Sequence, residues 1–193
     1  LWNTGANGLT LTNLGVGTYS ATVTDALGCS SSVSHTVTQP LELVSNLQSH
    51  DVNCFGGNSG SIVTHITGGT PAYSTTIVAL GTTQIQSALN LSANVYAVTI
   101  VDANGCQLID TIGINQPEPL SIAFSSTDVL CFGGSDGTAN ASVVGGTLPY
   151  NFAWSSGDTT NSIENQPTGN YVLTVTDANQ CTLAESVFID QPD

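Results

Sequence analysis

One segment of eleven residues recurs along the chain with its Tyr, Asp and Cys at the same spacing. Residues Tyr19 to Cys29 return as 96–106 and again as 171–181, so successive copies start 77 and 75 residues apart. A second segment, Cys54-Phe-Gly-Gly-Asn-Ser-Gly60, returns as 131–137. Because self-similarity at a fixed period indicates an array of like units, the sequence predicts tandem modules of about 75 residues.

Gln-Pro dipeptides close the units, because they recur at 39–40, 116–117 and 191–192. The predicted units are residues 1–40, 41–117 and 118–193. Trp2 lies 17 residues before Tyr19, and Trp154 lies 17 residues before Tyr171. Residues 1–40 are therefore expected to be the C-terminal part of a module that begins upstream, followed by two complete modules.

Each unit carries the pattern of β-strands. Tyr96, Val98 and Ile100 alternate with Val, Ala and Thr, and a period-two pattern of aromatic and β-branched residues is typical of a half-buried strand. The pair Asn104-Gly105 that follows is a strong hairpin signal, because both positions of such a turn need positive φ. Short strands separated by Gly-rich turns predict an all-β fold of immunoglobulin-like β-sandwiches, and no helix is expected.

Aromatic residues at fixed places in the units are the predicted core. A Tyr that follows a Gly-containing corner resembles the tyrosine corner of immunoglobulin-like domains, in which a Trp also occupies a central strand. The predicted core aromatics are Trp2, Tyr19, Tyr96, Trp154 and Tyr171. Ile77 stands in the Trp position of unit 41–117.

Five cysteines follow the repeat, and two pairing schemes fit their positions. In the favoured scheme each complete module closes its own disulfide, Cys54–Cys106 and Cys131–Cys181, and the partner of Cys29 lies upstream. A small sandwich gains stability when a long loop is closed, which favours this scheme. The other scheme, Cys29–Cys54 and Cys106–Cys131, joins successive modules and leaves Cys181 over. Either scheme indicates an oxidising, exported location.

The Phe residues next to two of these cysteines, Phe55 and Phe132, are expected to be buried under the disulfides. No enzyme is predicted. His35, His50 and His65 do not recur in the sister units, so we expect structural or surface roles, with His35 at the core or its rim. No Gly-x-Ser-x-Gly elbow for a nucleophile is present.

Two sets of carboxylates recur. Asp25, Asp102 and Asp177 precede the hairpin turns, where an Asp side chain commonly accepts hydrogen bonds from nearby backbone N–H groups. Asp51 and Asp128 recur before the first Cys of each module and are weak candidates for Ca²⁺ ligands. Since no Asp-x-Asp-x-Asp-Gly loop accompanies them, no metal site and no cofactor are predicted.

The charge balance excludes several partners. The chain has no Lys and no Arg, and its formal net charge is −14. Cationic side chains supply most of the affinity for nucleic acid phosphates, so no nucleic acid partner is expected. No apolar run approaches the roughly 20 residues of a membrane span, so no membrane insertion is expected.

Four motifs taken together resemble the SprB-type repeat of gliding and cell-surface adhesins of Bacteroidota. They are Cys-Phe-Gly-Gly-x-x-Gly, the turn Gly145-Gly-Thr-Leu-Pro-Tyr150, the segment Trp154–Gly157, and Tyr-x-x-Thr-Val-Thr-Asp-Ala-x-x-Cys. The resemblance implies a very long cell-surface protein, exported by type IX secretion, anchored to the outer membrane and used in adhesion or gliding. Asn179-Gln180 departs from the usual Asn-Gly, so another type of turn is expected there.

The sequence and the resemblance favour a structural or adhesive stalk segment of an extracellular filament. Its expected partners are neighbouring repeats of the same chain and other copies in a filament, with the surface or glycan target unknown. One alternative is an array of carbohydrate-binding modules, for which Trp154 and Tyr150 would need to be exposed. Another is an accessory region of a secreted hydrolase.

Overall fold

The computed structural model describes residues 1–193 apart from the side chain of Ile85, and its secondary structure consists of β-strands without helices. The strands are β1 (Gly17–Thr24), β2 (Ser30–Val37), β3 (Val44–His50), β4 (Gly60–Thr67), β5 (Ser74–Ala79), β6 (Ile85–Gln86), β7 (Leu89–Leu91), β8 (Asn94–Val101), β9 (Gln107–Ile114), β10 (Ser121–Thr127), β11 (Gly137–Val144), β12 (Asn151–Trp154), β13 (Ser162–Gln166), β14 (Gly169–Thr176) and β15 (Thr182–Ile189). Consequently, no helix in the described chain could span a membrane.

Unit 41–117 is a sandwich of two antiparallel sheets. One sheet has the strand order β3-β4-β7, and the other has the order β6-β5-β8-β9. Residues from both sheets, among them Ile62 of β4 and Val98 of β8, form one core cluster. Three strands facing a sheet built on the hairpin β8–β9 is an immunoglobulin-like arrangement, so the predicted fold is confirmed.

Unit 118–193 repeats this arrangement with sheets β10-β11-β13 and β12-β14-β15. Among the described residues, this unit has no counterpart of the short strand β6. Its core cluster includes Leu173, Val175 and Ile189, all of which are fully buried. Each complete unit therefore has a separate core, as expected of an independent module.

Residues 1–40 contain a single hairpin, in which β1 and β2 pair over eight residues. No second sheet faces it within the described chain. Its apolar side chains accordingly remain open to solvent, and Val23 and Val33 are each 71% exposed. His35 is also exposed rather than at a core, because no second sheet packs on this hairpin among the described residues.

The aromatic residues lie at equivalent places in the three units. Tyr96, Trp154 and Tyr171 are buried, whereas Trp2 and Tyr19 are only half-buried on the lone hairpin. The hydroxyls of Tyr19, Tyr96 and Tyr171 each donate to the carbonyl four residues upstream, at 3.0, 2.8 and 2.8 Å. This is the tyrosine corner, which fixes the entry into the strand.

The β8–β9 hairpin turn differs from the expected two-residue turn. The loop is closed by a hydrogen bond from the Asp102 N–H to the Cys106 carbonyl, and only Gly105 of the Asn-Gly pair has positive φ, at 84°. The last hairpin has the same turn, since Gln180 takes the place of the glycine with φ 67°. The expectation of another turn type there is wrong, because nearby hydrogen bonds hold Gln180 in the left-handed region.

Candidate inter-module interface

One disulfide joins the two complete modules. Cys54 is bonded to Cys181, with their Cα atoms 5.7 Å apart and a sequence separation of 127. Cys29, Cys106 and Cys131 are free and exposed. The bond connects the first cysteine of one module to the second cysteine of the next, so both predicted schemes are wrong.

The reason lies in the length of a strand. Cys106 precedes β9, whereas the loop that holds Cys54 lies beside the residues that follow β9. Eight residues of antiparallel strand span about 27 Å, and a disulfide requires Cα atoms within about 7 Å. The two cysteines of one module therefore lie at opposite ends, and only a neighbouring module brings a partner to each end.

The Cys54 loop is attached to the end of its own module by hydrogen bonds. The Val52 N–H donates to the Asn115 carbonyl at 2.9 Å, and the Gly56 N–H donates to Gln116 Oε1 at 2.8 Å. Asp51 Oδ1 accepts the Asn115 N–H at 2.8 Å. The glutamine of the Gln-Pro junction thus fixes the loop that crosses to the next module.

The same bonds recur at the end of the second module. Val129 N–H donates to the Asp190 carbonyl at 2.9 Å, Gly133 N–H donates to Gln191 Oε1 at 3.1 Å, and Asp128 Oδ1 accepts the Asp190 N–H at 3.0 Å. Gln116 and Gln191 thus hold these loops in place. Their recurrence in the sequence predicts only a boundary between units, because the loop that each one contacts is about 60 residues away in sequence.

The second cysteine of each module is positioned by a buried Asp. Asp177 Oδ1 accepts the N–H groups of Asn179 and Cys181 at 2.8 and 2.9 Å, and its Oδ2 accepts the Thr147 N–H at 2.9 Å. Asp102 makes the equivalent three bonds in the preceding module, to Asn104, Cys106 and Thr70. Asp25 makes only the two bonds within its turn, because the lone hairpin lacks the third partner.

These donors shift the titration of both buried carboxyls. Hydrogen bonds, first of all from the Thr70 N–H, lower the pKa of Asp102 below its usual 3.8 despite its burial. For Asp177, burial by itself would raise the pKa, but the N–H groups of Cys181, Thr147 and Asn179 together outweigh burial and lower it. Both carboxylates are consequently ionised in the folded protein near neutral pH.

A Gly-Gly turn packs the start of each module against this Asp. A Cβ built on Gly146 would lie 2.8 Å from Asp177 Oδ2, and one built on Gly145 would lie 1.9 Å from the Pro119 carbonyl oxygen. Both glycines also have positive φ. The turn therefore needs glycine, and it places the junction segment 117–120 beside Cys181.

The two modules also meet outside the disulfide. Asn179 Nδ2 donates to the Asn53 carbonyl of the preceding module at 3.0 Å. A cleft of about 440 Å³ lies around the bond, formed by Cys54 and Phe55 on one side and by residues 117–120 and 180–183 on the other. The joint thus combines a covalent bond, a polar contact and a shared junction segment.

The other predicted site residues have mostly structural positions. Phe55 and Phe132 are 55% and 75% exposed, so their expected burial under disulfides is wrong. Phe55 follows Cys54, which is bonded to the next module, and Phe132 follows Cys131, which is free and exposed. His50 and His65 are exposed. Asp51 and Asp128 bond backbone N–H groups, and no group of three His, Cys, Asp or Glu side chains in the described chain could hold a metal ion.

The fold and this joint define a tandem array of immunoglobulin-like modules. A model of the SprB repeat matches residues 46–76 and 123–159, which are the corresponding parts of the two complete modules. The resemblance to a SprB-type repeat is therefore confirmed for these two regions of the chain.

Two solved structures are similar to the chain at low identity. The amphioxus IgVJ-C2 molecule is 16% identical with a TM-score of 0.32, and the match covers 76% of this chain and 96% of that one. A structure described as the basis for Dscam isoform specificity is 12% identical with a TM-score of 0.34, covering 91% of this chain and 54% of that one. None of the curated proteins matches. Because both TM-scores are low, the fold assignment depends on the strand order and cores described above.

Proposed function

We propose that the chain is a structural stalk segment of an extracellular, cell-surface adhesin. SprB-type repeats occur in surface-exposed proteins. In its more specific form, the proposal is that the adhesin is exported by type IX secretion and used in gliding or surface attachment. The observation that carries it is the Cys54–Cys181 bond, because a bond between modules serves the geometry of the array rather than the stability of one module.

The surroundings of the bond support a spacer role. Each module supplies a loop at one end and a receiving surface at the other, and a segment of only a few residues around Pro117 connects the modules. Pro restricts the backbone at the junction, and the disulfide adds a second connection. Two connections between neighbouring modules restrict bending far more than one short linker does.

The alternative of an array of carbohydrate-binding modules has less support. It requires Trp154 and Tyr150 at the surface, but Trp154 is 5% exposed and Tyr150 is half-buried. The Trp154 Nε1–H donates to the Thr160 carbonyl at 2.9 Å, and its ring packs on Phe124 with centroids 5.7 Å apart. These contacts give Trp154 a packing role.

Small-angle scattering tests the spacer role. The oxidised chain should give one narrow distribution of dimensions, and the double variant Cys54→Ser with Cys181→Ser should give a broader one, because the joint then bends about the linker alone. The matched control is Cys106→Ser with Cys131→Ser, which removes two free cysteines and should leave the distribution unchanged. Equal distributions for all three proteins would contradict a stiff stalk.

The location is tested separately. Antibodies raised against the chain should label intact, unpermeabilised cells that produce the protein, and a protease added outside those cells should remove the label. Labelling only after permeabilisation would overturn the extracellular assignment without affecting the scattering result.

A further inference from the structure

The cleft around Cys181 has a second copy in the molecule. A cleft of about 240 Å³ is lined by residues 39–43, Gly69, Asp102 and Cys106. These residues correspond in the repeat to residues 116–120, Gly146, Asp177 and Cys181. Apart from Gln116, all of these residues line the cleft between the modules. The two clefts are thus the same surface on successive modules.

The two copies differ in what covers them. At the first cleft the Cys54-Phe55 segment of the neighbouring module lies across the surface and forms the disulfide. At the second cleft no such segment is present among the described residues, and Cys106 is free and exposed. The receiving geometry is nevertheless already formed, since Asp102 holds the Cys106 and Thr70 N–H groups at 2.8 and 2.9 Å as Asp177 does in its module.

The loop that docks at the first cleft also has a second copy, whose cysteine is free. Cys131-Phe132 is the equivalent of Cys54-Phe55 and is attached by Gln191 as its counterpart is by Gln116. Phe132 is 75% exposed, whereas Phe55 is 55% exposed beside the cleft. The lower exposure of Phe55 indicates that part of the Phe side chain is covered when the loop is docked.

We propose that the cleft at Cys106 is a docking site for the Cys-Phe-Gly-Gly loop of a further module of this kind, and that the docked loop forms a disulfide with Cys106. That module would sit against unit 41–117 as unit 41–117 sits against unit 118–193. The Cys131 loop is the complementary half, which docks on the cleft of another module. The rule is that the first cysteine of one module bonds to the second cysteine of the next.

The chemistry is ordinary thiol–disulfide exchange. Two thiols lose two protons and two electrons when they form the protein disulfide, and a small-molecule disulfide such as oxidised glutathione accepts them and becomes two thiols. The attacking group is a thiolate, so exposure of Cys106 allows the reaction. The inference stands apart from the adhesive role, because it concerns only how modules join.

A peptide probe tests the docking site on the unaltered chain. The probe is residues 51–58 as a peptide, with its cysteine activated as a mixed disulfide with thionitrobenzoate. The thiolate of a protein cysteine attacks the peptide sulfur, and thionitrobenzoate leaves. Peptide mapping after acid quench then gives the rate of modification at Cys29, Cys106 and Cys131.

The expected result is a preference for Phe at one cysteine. The peptide should modify Cys106 about tenfold faster than a Phe→Ala version does, because part of an aromatic side chain is buried on docking. Cys29 is the matched control, since Asp25 holds its N–H at 2.9 Å in the same turn but the lone hairpin lacks the Gly-Gly turn that completes the cleft. Equal Phe-to-Ala ratios at Cys106 and Cys29 would overturn the docking site.

An extended chain tests the pairing rule. A copy of residues 119–193 is joined after Asp193, which keeps the junction in register with that at Pro117-Glu118. After oxidation, Cys131 should be bonded to the Cys181 of the added copy, while Cys54 keeps its original partner. A version whose added copy carries Cys181→Ser should leave Cys131 open to alkylation. If Cys131 stays free in the extended chain, or bonds within a module, the rule is wrong.

Discussion

At the residue scale, one side chain occupies a conformation that the repeat otherwise reserves for glycine. Gly28, Gly105 and Gln180 lie at the same place in the three hairpins, with φ of 87°, 84° and 67°. The left-handed region costs a residue with a Cβ about 1 kcal/mol relative to glycine. The Asp177 bonds to Asn179 and Cys181 hold the turn in place despite this cost.

We therefore expect Gln180→Gly to stabilise unit 118–193 by about 1 kcal/mol. The change is measured by urea denaturation of the oxidised chain. The reciprocal variant, Gly105→Gln, should destabilise unit 41–117 by a similar amount. Loss of stability in Gln180→Gly would show that the glutamine side chain makes a contact worth more than the relief of the backbone.

The buried carboxylates make stability depend on pH in a defined direction. Hydrogen bonds lower the folded-state pKa of Asp102 and Asp177 below the usual 3.8. The stability that these two carboxylates give to the folded protein is complete above pH 3.8. It is lost as the pH falls through their lower folded-state pKa. We expect the melting temperature to fall with acidification in this range, and calorimetry from pH 5 to pH 2 would measure it.

Substitution assigns that pH dependence to one group. Asp177→Asn should lower the melting temperature at neutral pH, because an amide replaces one of the two accepting oxygens with a donor facing backbone N–H groups. The same variant should flatten the acid slope of unit 118–193. Asp25→Asn is the control, since Asp25 is exposed and accepts two bonds instead of three, and its effect should be smaller.

At the element scale, the three hairpins with a cysteine in the connecting loop pair over the same number of residues but differ in burial. β1–β2, β8–β9 and β14–β15 each pair over eight residues in register. Only the latter two face a second sheet and contribute to a core. Backbone pairing without a buried face leaves a hairpin marginally stable.

We expect hydrogen exchange to separate these hairpins. Amides of β1 and β2 should exchange orders of magnitude faster than those of β8 and β9, because local opening exposes no buried apolar surface in the lone hairpin. Exchange detected by mass spectrometry after pepsin digestion measures this. Equal protection would mean that the lone hairpin is covered by another surface in solution, such as a second copy of the chain.

Much of each element was predictable from the sequence. The alternation in residues 96–100 predicts β8, and the Gly before Tyr171 predicts its corner, because both depend on neighbours within one module. The Asn104-Gly105 pair predicts the position of the turn but not its type, since the Asp102 N–H closes a longer loop by donating to the Cys106 carbonyl. The Asp102 side chain also accepts the N–H of Thr70, which is distant in sequence.

At the scale of the whole molecule, the pairing of cysteines was beyond the sequence. The repeat places a first and a second cysteine in each module, and that arithmetic is the same for bonds within and between modules. The pairing is decided by strand β9, because its length separates Cys54 from Cys106 along the module. The docking residues Gln116 and Asn179 are likewise recognisable only once the ends of adjacent modules are seen together.

The two modules should remain folded when the bond is reduced. Each has its own core, and the Cys54–Cys181 bond crosses neither core. We expect the near-ultraviolet circular dichroism and the core amide protection of the chain to persist in reductant at room temperature, while the scattering profile broadens. Unfolding of either module on reduction would mean that the bond, rather than the core, supports that sandwich.

The position of the bond also determines which part of the chain carries tension. When the two ends of the chain are pulled, the force passes from Cys54 to Cys181 through the disulfide. The chain between these cysteines, which are separated by 127 in sequence, carries no load. At about 3.5 Å per extended residue, roughly 440 Å of contour length is withheld from stretching until the bond is cut. Under oxidising conditions the chain between the two cysteines therefore adds no length when the ends are pulled, and a reductant would make that length available.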